Sequence, residues 1–183
     1  MAENMTVEKR IALFDEALGN IVSPEFRAWL IENGFFTAPA STKYHGCYEG
    51  GLFDHSFVVM TSLIELSAKN GLAWGRAESP FIIGMFHDLC KIDQYKKTDT
   101  QEMLAPKYEY VTTTDLKGHG DKSVMMLASH IQLTEEEVMC IRYHMGAFTE
   151  KEEWNDYTRA IHKFHNVLWT NHADMIASHV NNI

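Results

Sequence analysis

Residues 81–91 read FIIGMFHDLCK, and the rest of the chain is read outward from them. An apolar run, Phe81 to Phe86, passes directly into His87-Asp88, and Lys91 follows three residues after the aspartate. Two accounts fit an apolar helix that ends in three titratable groups: a helix end reaching solvent, or a metal site. Neighbours on an α-helix point about 100° apart. His87 and Asp88 therefore reach one ion only if it sits off the helix edge between them. An imidazole gives one nitrogen to one metal, whereas a carboxylate has two oxygens and can bridge two. Gly84, one turn earlier, leaves space for a neighbouring helix. Lys91 projects over the same face as the pair, where its ammonium would meet an anionic group.

Helical signals flank this stretch on both sides. Val7, Ile11, Phe14 and Leu18 recur at helical spacing between Thr6 and Gly19. Ser23-Pro24 marks a helix start that runs to Asn33-Gly34. Residues 35–51, FFTAPASTKYHGCYEGG, break the periodicity with Pro39 and three glycines and predict a loop. A helix follows over residues 52–69, ending at Asn70-Gly71, and Ser79-Pro80 opens the one carrying the quoted stretch. Residues 94–114 change character: QYKK and YEYVTTT, around Pro106-Lys107, predict a small β-hairpin excursion. Helices return at 121–130, at 134–143, where Thr134 and Glu137 form a capping box, and over 156–180. The expected architecture is all-α and a single helical domain: residues 1–34 form an N-terminal helical extension packed on the core formed by residues 35–183.

Composition bounds the function. The chain has 183 residues, enough to bury a sizeable core. Sixteen basic against 25 acidic residues give a net charge of −9, which argues against a duplex-DNA binder. A small phosphorylated substrate remains compatible, because a metal supplies local positive charge. Three scattered cysteines with no CxxC spacing read as reduced thiols, which predicts a cytoplasmic protein. The N-terminal residues show no apolar signal region, and no segment is long and apolar enough to span a bilayer, so no membrane partner is expected.

Histidines and aspartates recur one helix at a time. His55 lies near the start of the 52–69 helix. His119 sits between Gly118 and Gly120, His144 closes the 134–143 helix, and Asp174 lies in an apolar stretch, LWTNHADMIA. A buried unpaired carboxylate is costly, so Asp174 calls for a cation, a donor, or a partner Arg or Lys. His130, His162, His165, His172 and His179 are read as surface or hydrogen-bonded core residues. Cys90, beside the pair, is read as core.

The order His55, His87-Asp88, Asp174, with Lys91 after the pair, resembles the HD superfamily of metal-dependent phosphohydrolases. The contexts GGLFDHS, HDLCK and ADMIAS carry the resemblance, which runs from Lys43 to Val180. The segment TAPASTKYHGCYEGGLFDHS is similar to the entrance of HD domains in bacterial 3′–5′ exoribonucleases and small phage-type HD hydrolases. The resemblance implies an HD-domain helical bundle over residues 35–183. It also implies a first metal held by His55, His87, Asp88 and Asp174, and a second held by bridging Asp88, His119 and His144. The implied cofactor is one or two divalent transition-metal ions, Mn or Fe before Ni, Co or Zn. Several dinuclear families, the HD-GYP phosphodiesterases among them, carry two adjacent histidines where this chain has His144-Met145. No GYP motif is present, so cyclic-di-GMP hydrolysis is not supported.

The chemistry so implied is hydrolysis of a phosphomonoester or phosphodiester of a nucleotide or short oligonucleotide by a metal-bound hydroxide. Asp88 and Lys91 are the expected catalytic residues, with Lys91 stabilising charge on the phosphoryl oxygens. For substrate contact the candidates are Lys43 and His45, toward a second phosphate, and Tyr44 or Tyr48, toward a base. Lys122, after the GHG turn, is a further candidate. The competing account of this loop is a surface segment with incidental charge. Two other functions stay open. Diiron oxygenases of this fold, such as myo-inositol oxygenase, resemble the same ligand order and fit a single His144. A metal-stabilised binding module without catalysis is the third reading.

Overall fold

A computed structural model describes residues 5–98, 107–111 and 118–183. Among these residues the fold is mostly helical, with one small antiparallel pair of strands. The helices are α1 (Val7–Leu18), α2 (Pro24–Glu32), α3 (Gly51–Asn70), α4 (Ser79–Phe86), α5 (His119–Ala128), α6 (Glu135–Arg142), α7 (Trp154–Lys163) and α8 (Asn166–Met175).

Caps set several of these bounds. The Thr6 hydroxyl accepts from the Lys9 amide, and the Ser23 hydroxyl accepts from the Phe26 amide ahead of Pro24. At α6 the capping box is complete: Thr134 Oγ1 accepts from the Glu137 amide while Glu137 accepts from the Thr134 amide. The Glu137 carboxylate is buried and also receives Arg76 and the Ser79 hydroxyl, which fixes the start of α4 against α6. Gly71, at φ 61°, ends α3 in the left-handed conformation.

The core is one continuous apolar cluster. Phe14 and Leu18 of α1 and Phe26 and Leu30 of α2 bury their faces into it, so residues 7–32 share the core of the remainder. Phe86, the last residue of α4, meets Phe14, Phe26 and Phe35 at ring-centroid distances of 6.2, 5.3 and 6.0 Å. α3 runs through the middle and packs on α4 and α8. Where α3 crosses α4, a Cβ on Gly84 would stand 2.3 Å from the Met60 Cα, so this crossing requires glycine.

The hairpin pairs β1 (Tyr95–Lys97) with β2 (Tyr108–Tyr110), Tyr95 opposite Tyr110. Its expected turn at Pro106-Lys107 involves residues outside the described ones. Among the described residues no helix is long and apolar enough to cross a membrane. All three cysteines are free thiols.

Three elements depart from expectation. The single helix expected over 156–180 is two helices broken at Phe164, where φ is −134° and ψ is 95°. The reason is tertiary: the buried Asn166 amide donates to the Ala73 carbonyl and to Glu136 Oε1, which pins the start of α8. α8 then runs into a π turn over Ile176–Val180. α5 begins at His119 rather than at residue 121, with Gly118 before it at φ 85°. Finally, α4 stops at Phe86. Asp88 has φ −108° and ψ 23°, and a 3₁₀ turn, Leu89–Asp93, takes over. The Cys90 amide has left the helical ladder and donates to the Ser123 hydroxyl of α5 instead.

Candidate metal centre

Five elements deliver the site. α3 brings His55, the end of α4 brings His87 and Asp88, α5 brings His119, the end of α6 brings His144, and α8 brings Asp174. Because the pair stands at an α-to-3₁₀ junction, the 100° offset of a continuous helix does not set its geometry. The junction lets both side chains turn inward. His55, His87 and His144 are fully buried, and Asp88 nearly so.

The Asp88 carboxylate divides its oxygens. Oδ2 faces His55 Nε2 at 3.8 Å and His87 Nε2 at 3.4 Å, and receives the Lys91 ammonium at 2.7 Å. Oδ1 faces His144 Nε2 at 3.4 Å and His119 Nδ1 at 3.7 Å. Asp174 Oδ1 completes the first group, 3.2 Å from His55 Nε2 and 3.9 Å from His87 Nε2. Among the described residues no Arg or Lys pairs with Asp174.

Three of the imidazoles are oriented from behind. His55 Nδ1 lies 2.9 Å from the main-chain oxygen of Ile183, His87 Nδ1 2.9 Å from the Gly84 carbonyl, and His144 Nδ1 2.7 Å from the Ile141 carbonyl. A main-chain oxygen only accepts, so each Nδ1 carries a proton, and in the neutral form of each ring the Nε2 lone pair points inward. The His55 and His87 lone pairs then stand 3.3 Å apart. Asp88 Oδ1 and His144 Nε2 are buried with no hydrogen-bond partner among the described residues. Acceptors that converge out of water need a cation or protons between them. The donors are imidazole nitrogens and carboxylate oxygens, a set that suits a divalent transition metal. The residues present therefore fit the implied ions, with Asp88 between the two groups. The donors fall into clusters that could hold a metal, including His55-His87-Asp88 and His87-His144-Asp174.

Without a metal, protons occupy this space. Burial pushes the His87 imidazole below its usual range, against the pull of Asp88. His144 is raised: burial opposes this, but Asp88 beside it outweighs the burial. His119 is raised to about 9, first by its contact with Asp88 and then by Cys90. Asp88 and Asp174 are held low despite burial, Asp88 by the charges of Lys91 and His87 and Asp174 by His55 and His87.

A small cavity of about 120 Å³ opens over Asp88, Lys91, His119 and Asp174. It shares His45, Phe148, Ser178 and His179 with a larger cavity of about 850 Å³, which Lys43, Tyr44 and Tyr48 also line. The structure thus brings Lys43 and His45 to the approach of the site. Lys122 lies elsewhere: it is buried, its ammonium is held by Asp93, and it lines neither cavity. His179, read as a bland residue from sequence, lines both cavities together with Phe148, which sequence reading missed. No local pattern marks either one. Of the remaining histidines, His130 stacks on Phe26 at 4.4 Å, while His162, His165 and His172 are exposed.

Compared with protein-family models, with curated proteins and with solved structures, the chain matches none.

Proposed function

We propose that this chain is a metal-dependent phosphohydrolase of the HD type, acting on a phosphate ester of a nucleotide or short oligonucleotide. The observation that supports this reading is the division of the Asp88 carboxylate between two groups of imidazole donors. When bound, the ions supply Lewis acidity toward a phosphoryl oxygen and lower the pKa of water. Mn or Fe is the favoured metal of this reading.

The side chains have separate tasks. Asp88 and Asp174 bring negative charge to the centre, and the carbonyl-bound imidazoles keep their lone pairs in fixed positions. Lys91 is buried and paired with Asp88. Burial works against its charge, but Asp88 raises its pKa, so the ammonium persists. At the floor of the small cavity it stabilises charge developing on the equatorial phosphoryl oxygens. His45 is neutral at physiological pH, its pKa lowered to about 4 by burial and then by the charges of His55 and Lys91. It therefore meets a phosphate as a hydrogen-bond donor, and Lys43 supplies the charge. Tyr44 and Phe148, 80% and 72% exposed, flank the larger cavity as flat surfaces for a base. A net charge of −9 favours a small substrate over a long duplex.

The test is hydrolysis of bis-p-nitrophenyl phosphate by Mn-loaded protein, followed by nucleotide phosphoesters. His87→Ala and Asp88→Ala, each folded by circular dichroism, should each lose about a hundredfold or more, beyond the cost of a contact outside the ligand set. Wild type inactive on every phosphoester with every metal sinks the proposal. Oxygen uptake by iron-loaded protein without phosphate release would put the diiron oxygenase reading in its place.

A further inference from the structure

The donor group around Asp88 Oδ1 holds two histidines, His119 and His144, and position 145 brings a methionine. Cys90 stands beside this group. Its side chain is 1% exposed, and its Sγ lies 3.8 Å from His119 Nδ1. Asp88, Cys90 and His119 offer ligand atoms that all lie within 4.8 Å of one another. Cys140 belongs to the continuous apolar core, but Cys90 does not. Its nearest polar neighbour besides His119 is Gln94 Oε1 at 3.7 Å, a weak contact. The backbone is fixed by the bond from the Cys90 amide to the Ser123 hydroxyl of α5, the helix that also carries His119.

We propose that Cys90 is a thiolate ligand of the second ion, completing a set with Asp88, His119 and His144. This rests on the metal-centre reading above and deepens it. Two observations carry it, the first independent of the cysteine. Asp88 Oδ1 and His144 Nε2 are buried, unpartnered among the described residues, and aimed into the same space. The edges Cys90 Sγ–His119 Nδ1, Asp88 Oδ1–His119 Nδ1 and Asp88 Oδ1–His144 Nε2 measure 3.8, 3.7 and 3.4 Å. A tetrahedron with bonds of about 2.0–2.3 Å has edges of about 3.3–3.8 Å. On ligation the S–H bond gives way to an S–metal bond: sulfur keeps the electron pair and the proton leaves to solvent. A soft thiolate tilts this position toward Zn, Fe(II) or Co and away from Mn. The two positions of the centre then differ in metal preference, all-N/O at the first and N/O/S at the second.

The experiment is a titration of the metal-free full chain with Co(II), thiols kept reduced, followed by absorbance. A near-ultraviolet thiolate-to-cobalt band should grow as the second ion binds, or with a single ion if only one is held. Cys90→Ser should abolish the band and weaken that ion by about tenfold or more, since a ligand is worth at least as much as its outer contacts. Cys47→Ser and Cys140→Ser should keep the band. Saturation of wild type with cobalt and no band overturns the proposal, whether or not the Cys90 variant folds. Survival of the band in Cys90→Ser overturns it equally. Absence of any cobalt binding by wild type overturns the metal centre itself, and Cys90 with it.

Discussion

His45 lines both the larger and the smaller cavity, its ring 5.0 Å from that of His55. Burial first, then the neighbouring charges of His55 and Lys91, lower its pKa from 6.5 to about 4. The unfolded chain therefore binds more protons than the fold between those two values. The stability contributed by neutral His45 is fully present above pH 6.5 and is lost as pH falls to about 4. The residue is half-buried, so solvent screening holds the effect to about 1–2 kcal/mol. His45→Gln in metal-free protein should flatten the fall of the urea midpoint over this range, and an unchanged slope would refute the assignment. His87, Asp88, Asp174 and His144 were all readable as candidates, because imidazoles and carboxylates in apolar contexts are costly without a partner. The direction of each ring was not readable. It depends on the main-chain oxygens of Gly84, Ile141 and Ile183, and the last of these lies 128 residues from the ring it orients.

At the scale of elements, the α3–α4 crossing positions the His87-Asp88 pair. A Cβ at position 84 would lie 2.3 Å from the Met60 Cα and 2.7 Å from its amide nitrogen, both backbone atoms that cannot swing aside. Gly84→Ala should therefore destabilise by about 3 kcal/mol, the upper end for overpacking, and should weaken metal binding as well. Chemical denaturation and Co(II) titration together check this, and a variant as stable as wild type would show that the helices part freely. The caps at Ser23 and Thr134 were legible because a capping side chain answers an amide two or three residues away. The early end of α4 and the break at Phe164 were not. Each follows from a bond to a distant partner, Cys90 to Ser123 and Asn166 to Glu136.

Across the whole molecule, the centre ties α3, α4, α5, α6 and α8 at one point. An ion that binds there binds the folded state alone, and saturation to about 100 times Kd stabilises by about 2.7 kcal/mol. For a chain of this size that is a rise of about 5–10 °C in Tm. Manganese should produce this rise, a chelator should reverse it, and His55→Ala should remove most of it. A Tm indifferent to divalent metals would mean that the converging donors are satisfied by protons. The apolar periodicity predicted a mostly helical chain, since it is a property of local spacing, and the negative net charge argued against a duplex-DNA binder.

The sequence by itself determined which residues can carry the chemistry and which segments are helical, because donor type and apolar period are written locally. Only the tertiary structure decided that five elements face their donors inward, that Asp88 splits its oxygens, and that the buried Cys90 thiol stands beside His119. Those outcomes depend on contacts between residues tens of positions apart, and no local pattern encodes the angle at which two packed helices meet.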